Sequence, residues 1–191
     1  MNFTNIKIPL SQRKRALIVV DVQPSFLNER NEYIVENILK LLSQIQYDSI
    51  VVATFHAEKG SLWEVQQKWT CPQGNQTKTI EKLSEKLKSL NPIETVKETK
   101  SVFKGDKDVE NLLKKNGIEE IHVVGLDTND CVLATAYESF DRGFVTYVIE
   151  ECCQSSSSDL LHQQALKILQ GQDMTNISCS EEIDLEFIKT E

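Results

Sequence analysis

The feature that most constrains this fold is a regular alternation of short apolar runs with longer amphipathic ones. Runs such as ALIVV (16–20) and IHVV (121–124) are apolar at successive positions. A strand with one face in water alternates in polarity, so these runs predict strands buried on both faces. Strands are expected at 16–21, 49–54, 92–97, 121–124, 145–149 and 174–178. Between them, helical spacing predicts helices at 31–46, 78–90, 106–115, 130–142 and 156–170. Ile34, Ile38, Leu41, Leu42 and Ile45 show that spacing in the first helix. Strand–helix alternation of this kind means a mainly parallel sheet with helices on both faces.

The expected architecture is therefore α/β, a three-layer α/β/α sandwich with a Rossmann-like sheet of about six strands. A chain of 191 residues suits one domain, with a core over about 16–178. Residues 59–77 form an irregular insertion holding Trp63 and Trp69, and 181–191 an acidic tail. The net charge of −8 argues against nucleic acid or an anionic membrane as partner. No apolar stretch is long enough to span a bilayer, and the first fifteen residues lack a secretory apolar segment. Five cysteines without metal-like spacing fit reduced thiols and a cytoplasmic protein.

Three strand ends carry chemistry. Asp21 ends the first strand, Lys97 the third, and Cys131 opens the helix that follows the fourth. In an open parallel sheet the carboxyl ends of the strands line one ligand crevice. A carboxylate, an ammonium and a thiol would meet there. At a helix start, the dipole and free N–H groups favour a thiolate over a thiol. The alternative for each residue alone is ordinary: a turn Asp, a solvated Lys, a small buried Cys.

These residues also sit in recognisable motifs. DVQPSF (21–26) resembles D-x-Q-x-x-F, and KETKSVF (97–103) resembles K-x-x-x-S-x-F. GLDTNDCVLATA (125–136) is similar to G-x-x-T-x-x-C-V-x-x-T-A. In this order and spacing they resemble the isochorismatase-like cysteine hydrolases, which include nicotinamidases and N-carbamoylsarcosine amidases. Lys97 has the motif spacing. Lys104 lies too near Cys131 and lacks a following S-x-F, so it is read as a solvated residue.

The resemblance implies an Asp21, Lys97 and Cys131 triad that hydrolyses a C–N bond of a small amide or ureido substrate through a thioester. It implies an oxyanion hole of the Asp127 and Cys131 backbone N–H groups and a cis peptide at Leu126–Asp127. Family members that cleave isochorismate lack the Cys, so Cys131 favours amide chemistry. Nicotinamidases carry an Asp-x-His metal pair where this chain reads Thr54-Phe55-His56, and Thr70 stands at a later His position. No metal or other cofactor is therefore expected. Gln23, Phe26, His56 and Trp63 are candidate substrate contacts, with core or capping roles as the alternative. A homo-dimer or tetramer is expected, with the Trp63 and Trp69 insertion as its surface. The other readings are a non-catalytic binding or oligomerisation module, and a redox sensor using Cys152 or Cys153 with Cys131.

Overall fold

The computed structural model describes residues 2–10, 12–175 and 181–189, with side chains described within 12–175. Strands β2 (Arg15–Val20), β3 (Ser49–Phe55), β4 (Ile93–Lys97), β5 (Glu120–Gly125) and β6 (Val145–Cys153) form one parallel sheet in the order β4-β3-β2-β5-β6. Successive strand side chains point to opposite faces. Leu17, Val19, Ile50, Val52 and Val124 meet α1 (Tyr33–Gln44) and α3 (Glu81–Lys88) on one face. Ile18, Val20, Val51, Ala53, Ile121 and Val123 meet α4 (Val109–Lys115), α5 (Leu133–Asp141) and α6 (Asp159–Gln170) on the other. Burial on both sides explains why the central strands are apolar at successive positions.

The sheet has five strands, where about six were expected. Residues 176–178 of the sixth expected strand lie outside the described residues. Met174 and Thr175 are not in a strand, although the Met174 carbonyl accepts from the Val148 N–H at 2.7 Å. The expected acidic tail is instead strand β7 (Glu181–Lys189), antiparallel to β1 (Asn2–Leu10) with Asn2 opposite Lys189. The insertion contains a single helical turn, α2 (Leu62–Val65), and a 3₁₀ turn at Gly74–Thr77. Among the described residues no helix is long and apolar enough to cross a membrane.

The strand order, not the strand direction, reverses between the parallel neighbours β2 and β5, which places the crevice there. Gly125 closes β5 opposite Val20, with φ of +117°, and the Leu126 N–H donates to the Val20 carbonyl at 2.9 Å. A Cβ at this position would overlap the Val20 backbone. Gly125→Ala is therefore expected to destabilise the protein by about 2–4 kcal/mol, from backbone strain and overpacking together. Urea unfolding checks this, and an unchanged midpoint would show that the approach is not tight.

Candidate active site

Asp21 is the first residue beyond β2 and adopts the left-handed region, with φ of 51°, which Asp tolerates better than branched residues. Its N–H donates to the Ala53 carbonyl at 3.0 Å, so the carboxylate stands at the strand end beside β3. Lys97 is the last residue of β4. Its Nζ donates to Asp21 Oδ2 at 2.7 Å and to the Thr99 carbonyl at 3.0 Å, and lies 5.5 Å from the Phe55 ring centroid. Each residue is 1% exposed. Burial opposes the charge on Lys97, but Asp21 and Cys131 more than offset it and hold its pKa above 10.5. Burial pushes the Asp21 carboxyl above 3.8, against the pull of Lys97. A carboxylate so placed is a better proton acceptor than a solvated one.

Cys131 completes the cluster. The Leu126–Asp127 peptide is cis, and Thr128–Val132 form one π-helical turn that leads into α5. Cys131 is the fourth residue of that wide turn, 7% exposed, with its thiol in reach of Asp21 and Lys97. Asp21 Oδ1 is buried without a geometrically defined hydrogen bond, which leaves it as the oxygen available to the thiol proton. Burial acts against the thiolate that the helix position favours. Burial pushes the thiol well above 9.0, Asp21 adds to the rise, and Lys97 only partly opposes it. Burial thus works against a free thiolate and calls for a base to take the proton.

A second group of residues holds the loop before Cys131. The Asp127 carboxylate accepts from the Ser156 N–H at 2.6 Å and from its hydroxyl at 2.7 Å. The Ser156 carbonyl accepts from Asn28 Nδ2 at 2.9 Å and from an Arg30 guanidinium N–H at 3.1 Å. Ser156 thus links the segment after Asp21 to the segment before Cys131. Thr128 Oγ1 lies 2.8 Å from His162 Nδ1, and the Thr128 N–H donates to the Gln154 carbonyl at 3.1 Å. Burial raises the Asp127 carboxyl above 3.8, against the two Ser156 bonds. Sequence reasoning missed this clamp and placed Ser156 in α6, which begins at Asp159 behind the Ser158 cap. The one sequence signal for it is an extra acid, Asp127, in the loop that precedes the thiol.

The remaining candidates divide. Phe26, Phe55, Trp63 and Trp69 form an aromatic cluster, with Trp63 centred 4.8 Å from Phe55 and Trp69 5.7 Å from Phe26. Both tryptophans pack against this cluster and stay partly exposed. Phe55 faces Lys97, which puts this cluster at the side of the site. Gln23 has both amide atoms committed to the Phe55 backbone, at 3.0 and 2.7 Å, and is fully buried. It ties the Asp21 loop to β3. His56 is half-buried just beyond β3. Its ring lies 3.3 Å from Glu58, in a cleft of about 720 Å³ shared with Val52 and Thr54, the β3 residues that alternate with Phe55. Lys104 is exposed and lies 3.4 Å from Glu138, away from Asp21.

The sequence model of the isochorismatase domain matches residues 15–182. The chain belongs to the isochorismatase family. No curated protein matches it in sequence. Among solved structures it is similar to the pyrazinamidase/nicotinamidase of Streptococcus mutans, at 21% identity and a TM-score of 0.73, covering 86% of this chain and 99% of that one. The pyrazinamidase of Pyrococcus horikoshii, solved in complex with zinc, aligns at 19% identity and a TM-score of 0.72, covering 85% and 97%. An isochorismatase-like hydrolase from Alkaliphilus metalliredigens aligns at 20% and 0.69, covering 86% and 94%. At these identities the likeness is one of fold, an α/β fold with a five-stranded parallel sheet flanked by helices.

The Pyrococcus horikoshii pyrazinamidase was solved with zinc, whose usual ligands are Cys, His and carboxylate side chains. Thr54 and His56 line one cleft, but Thr54 offers only a hydroxyl and His56 is engaged with Glu58. The Cys71 sulfur lies 3.7 Å from Ser61 Oγ and packs against Phe55. Among the described residues no three His, Cys, Asp or Glu side chains gather as a metal site. The donor set does not fit a divalent transition metal.

Proposed function

We propose that this isochorismatase-family chain is a cysteine hydrolase that cleaves the C–N bond of a small amide or ureido compound. The observation that carries the reading is the buried Lys97–Asp21 pair, 2.7 Å long, with the Cys131 thiol beside it. Buried charge is costly and survives where geometry and hydrogen bonds compensate it. Asp21 takes the thiol proton as Cys131 attacks the substrate carbonyl, so no free thiolate has to accumulate. Lys97 keeps Asp21 in place and balances the negative charge as it moves to sulfur. The backbone N–H groups of Asp127 and Cys131 hold the oxyanion, in a loop clamped by Ser156. Protonated Asp21 then returns its proton to the leaving nitrogen, which departs as the amine. Asp21 next deprotonates a water that attacks the thioester. The acid leaves and the thiol recovers its proton.

Screening small amides, ureido acids and maleamate-like acids for ammonia release tests this reading. The expected result is turnover of one class, with a hydroxylamine-sensitive acyl mass on the Cys131 peptide. Turnover without any such adduct under rapid quenching would remove the covalent route.

We further propose that the protein is cytoplasmic and works as a homo-dimer or tetramer. The tryptophans are partly covered by Phe26 and Phe55, and Leu62 and Val65 are the more exposed apolar residues of α2 and the candidates for that contact, at 74% and 57% exposure. Light scattering at micromolar concentration decides the assembly. A mass near the 21.8 kDa of one chain would remove it.

A further inference from the structure

One ion pair at the mouth of the site has no part in the mechanism above. Asp130 immediately precedes the nucleophile, and its carboxylate is in contact with the Lys100 ammonium. Lys100 reaches it from the turn after β4, three residues beyond Lys97, and lies 4.9 Å from the Trp63 ring centroid. Trp63 is itself fixed to that turn, its Nε1 donating to the Glu98 carbonyl at 2.6 Å. The turn is tied down in turn by Thr99 Oγ1 donating to the Ser101 carbonyl at 3.1 Å, and by the Val102 N–H donating to Thr135 Oγ1 on α5 at 3.2 Å. Lys100 is therefore delivered to Asp130 by an ordered scaffold.

Stability does not explain the pair. The two side chains are 44% and 28% exposed, and ion pairs in such settings contribute about 0–1 kcal/mol. Electrostatics at the nucleophile does explain it. The charges that act on Cys131 are Asp21 from β2, Lys97 from β4 and Asp130 from its own turn, and Asp130 opposes ionisation of the sulfur. The same carboxylate acts against ionisation of Asp21 and Asp127. An unscreened anion next to the nucleophile would therefore work against the reaction at its first step.

We propose that Lys100 is a positioning residue that neutralises Asp130, so that negative charge can develop on the Cys131 sulfur and the mouth of the site stays close to neutral. The inference rests on the reading of Cys131 as the nucleophile. It does not make Lys100 a catalytic residue, since Lys100 acts only through Asp130.

The test is the alkylation of Cys131 in the full chain by neutral iodoacetamide and anionic iodoacetate, followed against pH and located by peptide mass spectrometry. Lys100→Met is expected to slow iodoacetamide by about 3- to 10-fold near neutral pH and to move the midpoint upward. It should slow iodoacetate more, because the mouth then carries a net negative charge. Asp130→Asn should shift both quantities the other way. The double variant should return close to wild type, and Lys100→Arg should behave as wild type. A structural role alone would leave the iodoacetate-to-iodoacetamide ratio unchanged. If Cys131 reacts but the four variants share one pH profile and one ratio, this inference falls while the hydrolase reading stands. If Cys131 in the wild type resists alkylation and no acyl adduct forms there, both fall together.

Discussion

Replacing Cys131 with Ala is expected to lower amide hydrolysis by about four powers of ten or more, leaving the fold in place. Removal of the nucleophile from a unit of coupled groups abolishes the covalent route entirely, which is why such losses are so large. The fold should survive for a separate reason. The residue sits among Val132, Ala136 and Val102 in the core on the α5 side of the sheet, and a thiol replaced by a methyl group there loses little volume. Ammonia release and urea unfolding, measured on the same preparation, separate the two effects. Undiminished turnover would sink the mechanism, whereas a collapsed fold would show Cys131 to be a packing residue first.

Lys97→Met is expected to damage both activity and stability. Methionine keeps most of the buried stem but removes the ammonium that meets Asp21 Oδ2 at 2.7 Å. Breaking a buried pair by removing one partner costs about 3–5 kcal/mol, because the other charge stays buried alone. The pH dependence has a definite sign. Burial already raises the Asp21 carboxyl, and Lys97 is the main group pulling it down. Without Lys97 it rises further. A group whose folded pKa is raised contributes stability that is present below its unfolded value and lost as pH climbs through the folded one. The variant should therefore approach wild-type stability below about pH 3.8, the ordinary value for Asp, and fall behind it as pH rises. The acid limb of activity should move upward for the same reason, since Asp21 must be ionised to accept the thiol proton. The Cys131 thiol also loses the Lys97 charge that opposes its rise, so alkylation should need higher pH. Parallel stability curves for variant and wild type across this range would show that the pair carries no electrostatic load.

Much of the architecture was legible because it follows from local pattern. Strands apolar on both faces can only be interior strands of a covered sheet, and five of the expected strands lie where the pattern put them. Asp21, Lys97 and Cys131 could be brought together on paper because parallel strand ends share one edge. The spacing that favoured Lys97 over Lys104 reflects the same rule, since only Lys97 ends a strand of the sheet. The surroundings of Gln23 and His56 were not legible, because motif position says nothing of where a side chain's hydrogen bonds go. Gln23 spends both of its amide atoms on β3, and His56 falls on the alternate side of the strand from Phe55.

Sequence alone determined what depends on period and order along the chain: the class of fold, the face each strand buries, and the edge on which the three reactive groups meet. Tertiary structure decided what depends on contacts between distant segments. The β1–β7 pairing joins the two ends of the chain, at Asn2 and Lys189. The Asp127–Ser156 clamp joins loops 29 residues apart, and the Ser156–Asn28 bond spans 128. The ionisation state of Cys131 belongs here too. Position at the start of a helix favours a thiolate, while burial beside Asp21 pushes the thiol pKa the other way. Burial is a sum over every neighbour in space, and local pattern carries only the neighbours in sequence.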